Sequence, residues 1–456
     1  MAKADSSYGP LRTRLASTWY KLKHGWLYST GFDVGKEPLF LLGKCYSDLA
    51  LDKPPDTNDS APTHIKHFVE HFLTITWLTY RKDFPPIEGT QITTDCGWGC
   101  MVRSGQMMLA TALSYHLLGK EWRLAQSDKK QRMIHRQILT WFEDQPGTPD
   151  TCPFALHQLM EVASNYGYSP GNWFGPAQVA VLLRDSVTLS RNHHPLLHNM
   201  MVYMAKDCTI YLKDVEDMYK AELSGGSTAL LLLVPIRLGS DTLNVIYIPC
   251  IKALLAMDHC IGIIGGRPKH SVYFVGFQES KLLYLDPHYV QKRVDMSRPD
   301  FDLTSFHSHL PQRLHAVNMD PSCTLGFYCR SQEDFNKFCD ETKKVTAPPL
   351  QRGHYPFFTF SDNHEVNVVP PSSTILMSSM RGHNDVDSGH YSRNNNEDEE
   401  FVVIECPITT SPRPLVTSTA GTSSQHHLTD PPIAATNDGV QTDLETTKSS
   451  LNSVPH

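Results

Sequence analysis

Long apolar runs are scarce in this 456-residue chain, and no stretch approaches the roughly 20 apolar residues that a membrane-spanning helix requires. The longest run, Ala229 to Val234, has the length and composition of a buried strand. The N-terminus lacks an apolar core behind a basic start, so no secretory signal is legible there. Positive charge is in deficit: 41 Lys and Arg stand against 48 Asp and Glu, a net charge of -7. Neutralising nucleic-acid phosphates needs a clustered cationic excess, and the central region has no basic stripe with interleaved aromatics, which excludes nucleic acid as a partner. The 11 cysteines are odd in number and scattered. A disulfide framework is thereby disfavoured, and free thiols in a reducing, cytoplasmic setting are expected.

Acidic residues are absent from positions 6–32, where Arg12, Arg14, Lys21, Lys23 and His24 accompany Leu11, Leu15, Trp19 and Leu22 at helical spacing. A basic amphipathic helix of this kind can lie on an anionic membrane or resemble a mitochondrial presequence, and can equally be an ordinary helix that caps a domain. Residues 1–36 are set apart as a flexible basic segment. From 363 onward Tyr391 and Phe401 are the only aromatics in a stretch rich in Ser, Thr, Pro, Asn and His. Such a composition buries too little apolar area to offset chain entropy, so residues 363–456 are expected to form a long disordered tail.

Residues 37–362 form the continuous, aromatic-rich body. Periodicity predicts helices from Met101 to Leu118, stopped by Gly119 and Lys120, from Leu156 to Tyr166, and from Pro176 to Leu189 with proline in its first turn. Strands are predicted from Ala229 to Ile236, Ser271 to Phe277 and Leu282 to Asp286. The last two are joined through Gln278-Glu279-Ser280-Lys281 as an antiparallel hairpin. Helices first and strands later, with no βαβ alternation and no repeat, point to an α+β fold.

Two segments carry the chemistry. In Thr94-Asp95-Cys96-Gly97-Trp98-Gly99-Cys100, two glycines make a tight loop that delivers Cys100 to the start of the first of these helices. Unpaired N–H groups and the positive end of the helix dipole stabilise a thiolate there, and the same N–H groups can serve an oxyanion. The plainer alternative is a small buried cysteine. Zinc would need a second pair or histidines at ligand spacing beside Cys96 and Cys100, and none is present, so no metal or other cofactor is expected. In Leu285-Asp286-Pro287-His288, residues two apart in extended chain face the same side. Asp286 can thus orient the His288 ring and leave its other nitrogen for a thiol. Read alone, this is also compatible with a polar strand end. Together the segments supply a nucleophile, a base and an orienting acid. Cys96, four residues from Cys100, raises the further idea of a reversible disulfide under peroxide.

Tyr80-Arg81-Lys82-Asp83-Phe84-Pro85, the Cys100 loop, Gly105-Gln106-Met107, Gly171-Asn172-Trp173-Phe174-Gly175-Pro176, Gly262-Ile263-Ile264-Gly265-Gly266-Arg267-Pro268 and Leu285-Asp286-Pro287-His288 occur in that order. Together they resemble the autophagin family, the autophagy-related cysteine proteases of group 4, over about residues 37–362. Trp19 and Trp26, Leu41-Leu42-Gly43-Lys44-Cys45-Tyr46 and Met319-Asp320-Pro321-Ser322-Cys323 resemble its C and D subtypes. The resemblance implies a papain-like fold with a small additional α/β subdomain. It further implies hydrolysis of ubiquitin-like autophagy modifiers after their C-terminal glycine, either to prime a precursor or to release phosphatidylethanolamine, with transient contact at a membrane surface. By match, Cys100 is the nucleophile, His288 the base, Asp286 the orienting acid and Tyr80 a support of the oxyanion site. Trp173 and a loop of Gly265, Gly266, Arg267 and Pro268 would gate the cleft, which admits a glycine tail because that tail has no side chain to clash. In the tail, four acids precede Phe401-Val402-Val403-Ile404, which resembles a short modifier-binding motif near 397–404 with Phe401 and Ile404 as its apolar anchors. Tyr8-Gly9-Pro10-Leu11 fits that spacing more loosely. The alternative function is a weakly active protein that sequesters modifiers and is inhibited by its own N-terminal segment.

Overall fold

Ala229–Val234 is wholly apolar because the strand it belongs to is covered on both sides. Its residues alternate between two cores: Ala229, Leu231 and Leu233 in one, Leu230, Leu232 and Val234 in the other. A computed structural model of the chain describes residues 37–47, 63–222, 227–267, 270–308, 311–346 and 356–363. The basic segment at 1–36, Pro268, and the tail motif with Phe401 and Ile404 lie outside the described residues.

In chain order the elements are β1 (Leu39–Leu41), β2 (Lys44–Tyr46), α1 (Thr63–Thr74), β3 (Arg81–Lys82), α2 (Cys100–Leu118), α3 (Lys129–Thr140), α4 (Leu156–Ser164), α5 (Pro176–Ser190), β4 (Met200–Met204), β5 (Thr209–Tyr211), α6 (Leu212–Ala221), β6 (Ala229–Arg237), α7 (Ile248–Leu255), β7 (Cys260–Arg267), β8 (His270–Gln278), β9 (Lys281–Leu285), β10 (Gln291–Lys292), β11 (Gln312–His315), β12 (Ser322–Cys329), α8 (Gln332–Thr346) and β13 (Thr359–Ser361). The central sheet runs β11-β9-β8-β7-β12-β6-β4, with β1 added to β8 and β2 to β1. β4 pairs parallel with β6, and β6 through β12, β7, β8, β9 and β11 pair antiparallel. A separate parallel pair, β5 with β13, leads into α6.

One face of the sheet lies under α2 and α5, the other under α7 and α8. Fully buried leucines such as Leu231 and Leu232 each contribute roughly 1.5–3 kcal/mol by leaving water. This is the mixed, largely antiparallel architecture that helices-then-strands implies. No helix among the described residues is long and apolar enough to cross a membrane.

The helices at α2, α4 and α5 and the β8–β9 hairpin stand where periodicity put them, and two details differ. The hairpin turn is shorter than the four residues expected: Gln278 and Lys281 are paired strand residues, and only Glu279 and Ser280 turn, with Glu279 at φ 51°. Gly265, Gly266 and Arg267 do not form a loop but are the last three residues of β7, paired with Val272, Ser271 and His270 of β8. The glycine pair permits close backbone approach. A Cβ on Gly266 would sit 2.1 Å from the His270 carbonyl oxygen.

Candidate active site

The thiol is delivered by a loop whose anchor is a buried carboxylate. Asp95 is fully buried. Its Oδ1 accepts the Arg81 backbone N–H at 2.7 Å and its Oδ2 the Arg103 Nε–H at 2.8 Å. Its carbonyl accepts the backbone N–H groups of Trp98 and Gly99, which coils the loop onto the start of α2. Gly99 has to be glycine here, since a Cβ would meet Asp95 Oδ2 at 2.5 Å. From α2, Arg103 reaches across to Asp144 at 2.8 Å and is itself fully buried. Removing one partner of a buried pair of this kind typically costs about 3–5 kcal/mol. The loop conformation is therefore tied to the core, and Cys100 begins α2 with no side chain capping its first N–H groups.

On the facing side, β9 ends at Leu285 and hands the chain to Asp286-Pro287-His288. Asp286 Oδ1 lies 2.6 Å from His288 Nδ1 and also accepts the His288 backbone N–H at 2.9 Å. Trp77 Nε1–H donates to the Asp286 carbonyl at 2.8 Å, and the Tyr80 backbone N–H donates to the Pro287 carbonyl at 2.8 Å. The Tyr80 ring meets the His288 ring edge-on, centroids 5.3 Å apart. With Nδ1 occupied by Asp286, the ring's buried Nε2 makes no hydrogen bond in this structure and is the nitrogen left for the Cys100 sulfur, whose charge and that of His288 perturb one another.

Burial alone would push the Cys100 thiol up. The nearby His288 ring, Ser271 backbone N–H and Tyr80 hydroxyl, with the imidazolium charge, outweigh it and bring the thiol below its usual value. For His288, burial disfavours the charged ring, yet the hydrogen bond to Asp286 and the negative charges of Asp286 and Cys100 raise it to about 9. Asp286 is likewise held below the ordinary carboxylate value, its own burial being outweighed by the bonds and charge of His288. Both shifts favour a thiolate–imidazolium pair, the form that can attack a carbonyl carbon and return a proton to a leaving group.

The structure places Cys100, His288, Asp286 and Tyr80 at one site. Cys100 is only 1 % exposed, whereas Cys96, its neighbour in the loop, is exposed and both are free thiols. Trp173 stands half exposed in the segment leading into α5, whose start is capped by Gln178 accepting the Gly175 N–H at 2.7 Å. Four contributors escaped the sequence reading. Asp95 was visible in the loop, but nothing local marked it as an anchor. Trp77, Ser271 and His270 reach the site through the fold, with no motif to announce them. His270 stacks on His288 with centroids 3.7 Å apart and planes 4° from parallel.

His270, Asp286 and His288 are close enough for their donor atoms to meet on one ion. Parallel rings do not suit that role. Imidazole lone pairs lie in the ring plane, and no ion can lie in the planes of two stacked rings 4° from parallel at the usual distance of about 2.0–2.1 Å.

Residues 65–341 match the family model of the peptidase C54 catalytic domain. A protein named cysteine protease ATG4D from Xenopus laevis is 38 % identical over 400 residues, covering 77 % of this chain and 81 % of that protein. Proteins named cysteine protease ATG4C from Xenopus laevis and Homo sapiens are 37 % and 36 % identical, each covering 78 % of this chain and 89 % and 90 % of the relatives. With a papain-like fold, a thiol at a helix start facing an aspartate-bound imidazole, and these relatives, the chain belongs to the peptidase C54 (autophagin) family of autophagy cysteine proteases, in its C/D-type branch.

Proposed function

We propose that this cysteine peptidase cleaves ubiquitin-like autophagy modifiers behind their C-terminal glycine, with Cys100 as nucleophile, His288 as base and acid, and Asp286 as the group that orients His288. The observation that carries this reading is the 2.6 Å hydrogen bond between Asp286 and the His288 ring, which turns the other ring nitrogen to a thiol at a helix start. The thiolate adds to the glycine carbonyl carbon, and the oxyanion is met by N–H groups at the start of α2 and by the Tyr80 hydroxyl. His288 gives its proton to the departing amine as the C–N bond breaks, leaving a thioester. It then takes a proton from water, which releases the glycine carboxylate and the thiol.

A peptide bond beyond the glycine and the bond from glycine to phosphatidylethanolamine are both amides, so one mechanism serves precursor priming and delipidation. A buried Cys100 demands an opening step, for which Trp173 and the end of β7 at Gly265, Gly266 and Arg267, with Pro268 next in sequence, are the gate. Phe401 and Ile404 would tether the modifier, and the basic segment at 1–36 would bring the enzyme into transient contact with the membrane that carries lipid-linked substrate. A reducing cytoplasm suits its free thiols. The test is Cys100→Ser against a modifier extended past its glycine. Cleavage is lost and modifier binding kept if the reading holds; undiminished cleavage overturns it.

A further inference from the structure

His270 opens β8, paired with Arg267 at the end of β7, and lies flat against His288 with ring centroids 3.7 Å apart. Its Nε2 is 4.0 Å from Asp286 Oδ2, and at 35 % side-chain exposure it is more open to solvent than His288 at 20 % or Asp286 at 18 %. We propose that His270 is a positioning residue for the reaction: stacked on one face of His288 and reaching to Asp286, it fixes the plane of the His288 ring and screens the Asp286–His288 hydrogen bond from water.

The need for such a residue follows from the imidazole itself. The torsion that turns a histidine ring is broad and roughly two-fold, so the side-chain rotamer does not set its plane. One hydrogen bond at Nδ1 leaves the ring free to rock about that bond, which swings Nε2 away from the sulfur. Tyr80 meets the ring at 83°, and a parallel surface against a face removes the remaining freedom. Screening adds to this, because a hydrogen bond in a low-dielectric setting is stronger than one open to water.

His270 can stack on a cation only while it is neutral. Its burial, followed by the positive charge of His288, holds it below the usual histidine value, with Asp286 opposing and Arg267 assisting. A neutral ring face against an imidazolium is favourable, whereas a second charge at that distance would repel it.

The proposal rests on His288 being the catalytic base, and its test separates the two. The full chain is compared with His270→Ala and His270→Phe for steady-state cleavage and for the strongly downfield proton resonance of an imidazole N–H bonded to carboxylate, which survives only where water exchange is slow. His270→Ala should lower kcat about tenfold, a modest case of active-site misplacement, with KM within about twofold, and should broaden the resonance away. His270→Phe keeps a flat ring and should recover both kcat, to within about threefold, and the signal. His270→Ala with unchanged kcat and an intact resonance overturns the proposal, as does a Phe variant that restores neither, or a full chain in which the resonance is absent. Failure of the catalytic assignment would show instead as a His288→Ala variant that still cleaves.

Discussion

His270 and His288 stack beside a carboxylate near the end of β9, whereas His135 and His307 meet through their Nε2 atoms, 3.2 Å apart, inside the helical layer. The second pair is the more buried: His135 on α3 is fully enclosed with the Trp122 ring 5.0 Å away, and His307 is 6 % exposed. His135 is driven well below the usual histidine value, by burial first and then by the charges of His307 and Arg136. His288 is also opposed by burial, yet ends at about 9 because Asp286 and Cys100 face it. The same side chain in two half-polar niches thus takes opposite charge states, and an adjacent anion decides which. One pair is equipped for proton transfer and the other is core packing.

Deletion separates the two histidine pairs most sharply. His288→Ala should lower kcat by about 10²–10⁴, the usual contribution of a general acid–base group. His135→Ala should leave kcat within about threefold while costing about 1–3 kcal/mol of stability, because it strips a buried ring nitrogen of its partner; urea unfolding beside steady-state kinetics separates the two. Asp286→Asn comes next. It removes the charge that lifts His288 but keeps the burial that depresses it, so the alkaline limb of kcat/KM should move from about 9 toward the ordinary value of about 6.5. Activity then falls more at pH 8 than at pH 6, and an unshifted limb would contradict the role given to Asp286.

The smallest effect is on stability against pH, and it has opposite signs at the two pairs. A lowered His135 contributes stability that is full above about pH 6.5 and is lost as pH falls below it. A raised His288 contributes stability that is full below about pH 6.5 and is lost as pH climbs through about 9. Unfolding measured from pH 5 to 10 should therefore weaken toward both ends, on the order of 1 kcal/mol per pH unit at most. His135→Gln should flatten the acid side and His288→Ala the alkaline side.

What the sequence disclosed was what is local in the chain. Asp286 and His288 share one strand end, and Cys100 follows its glycine loop directly into a helix, so two short segments sufficed to pair them. The two-sided burial of Ala229–Val234 was likewise legible as an unbroken apolar run. Contacts made only by folding were not legible. Trp77 bonds the Asp286 carbonyl from 209 residues away, and His270 becomes a neighbour of His288 because β8 and β9 are adjacent strands. Gly265-Gly266 reads as a turn by composition, yet its glycines serve strand pairing, where the His270 carbonyl leaves no room for a side chain. A glycine needed for close approach and one needed for bending look alike in sequence.

His288, held by Asp286, is the counter-ion that favours Cys100 as a thiolate. Mass-spectrometric mapping of iodoacetamide labelling at Cys100 across pH tests it most directly, in the full chain and in His288→Ala. Cys100 should label well below the pH at which an ordinary thiol ionises, about 8.5, and His288→Ala should push that threshold up toward or past the ordinary value. Labelling of the unsubstituted chain that begins only where a free thiol ionises, or a threshold indifferent to His288, would contradict the account.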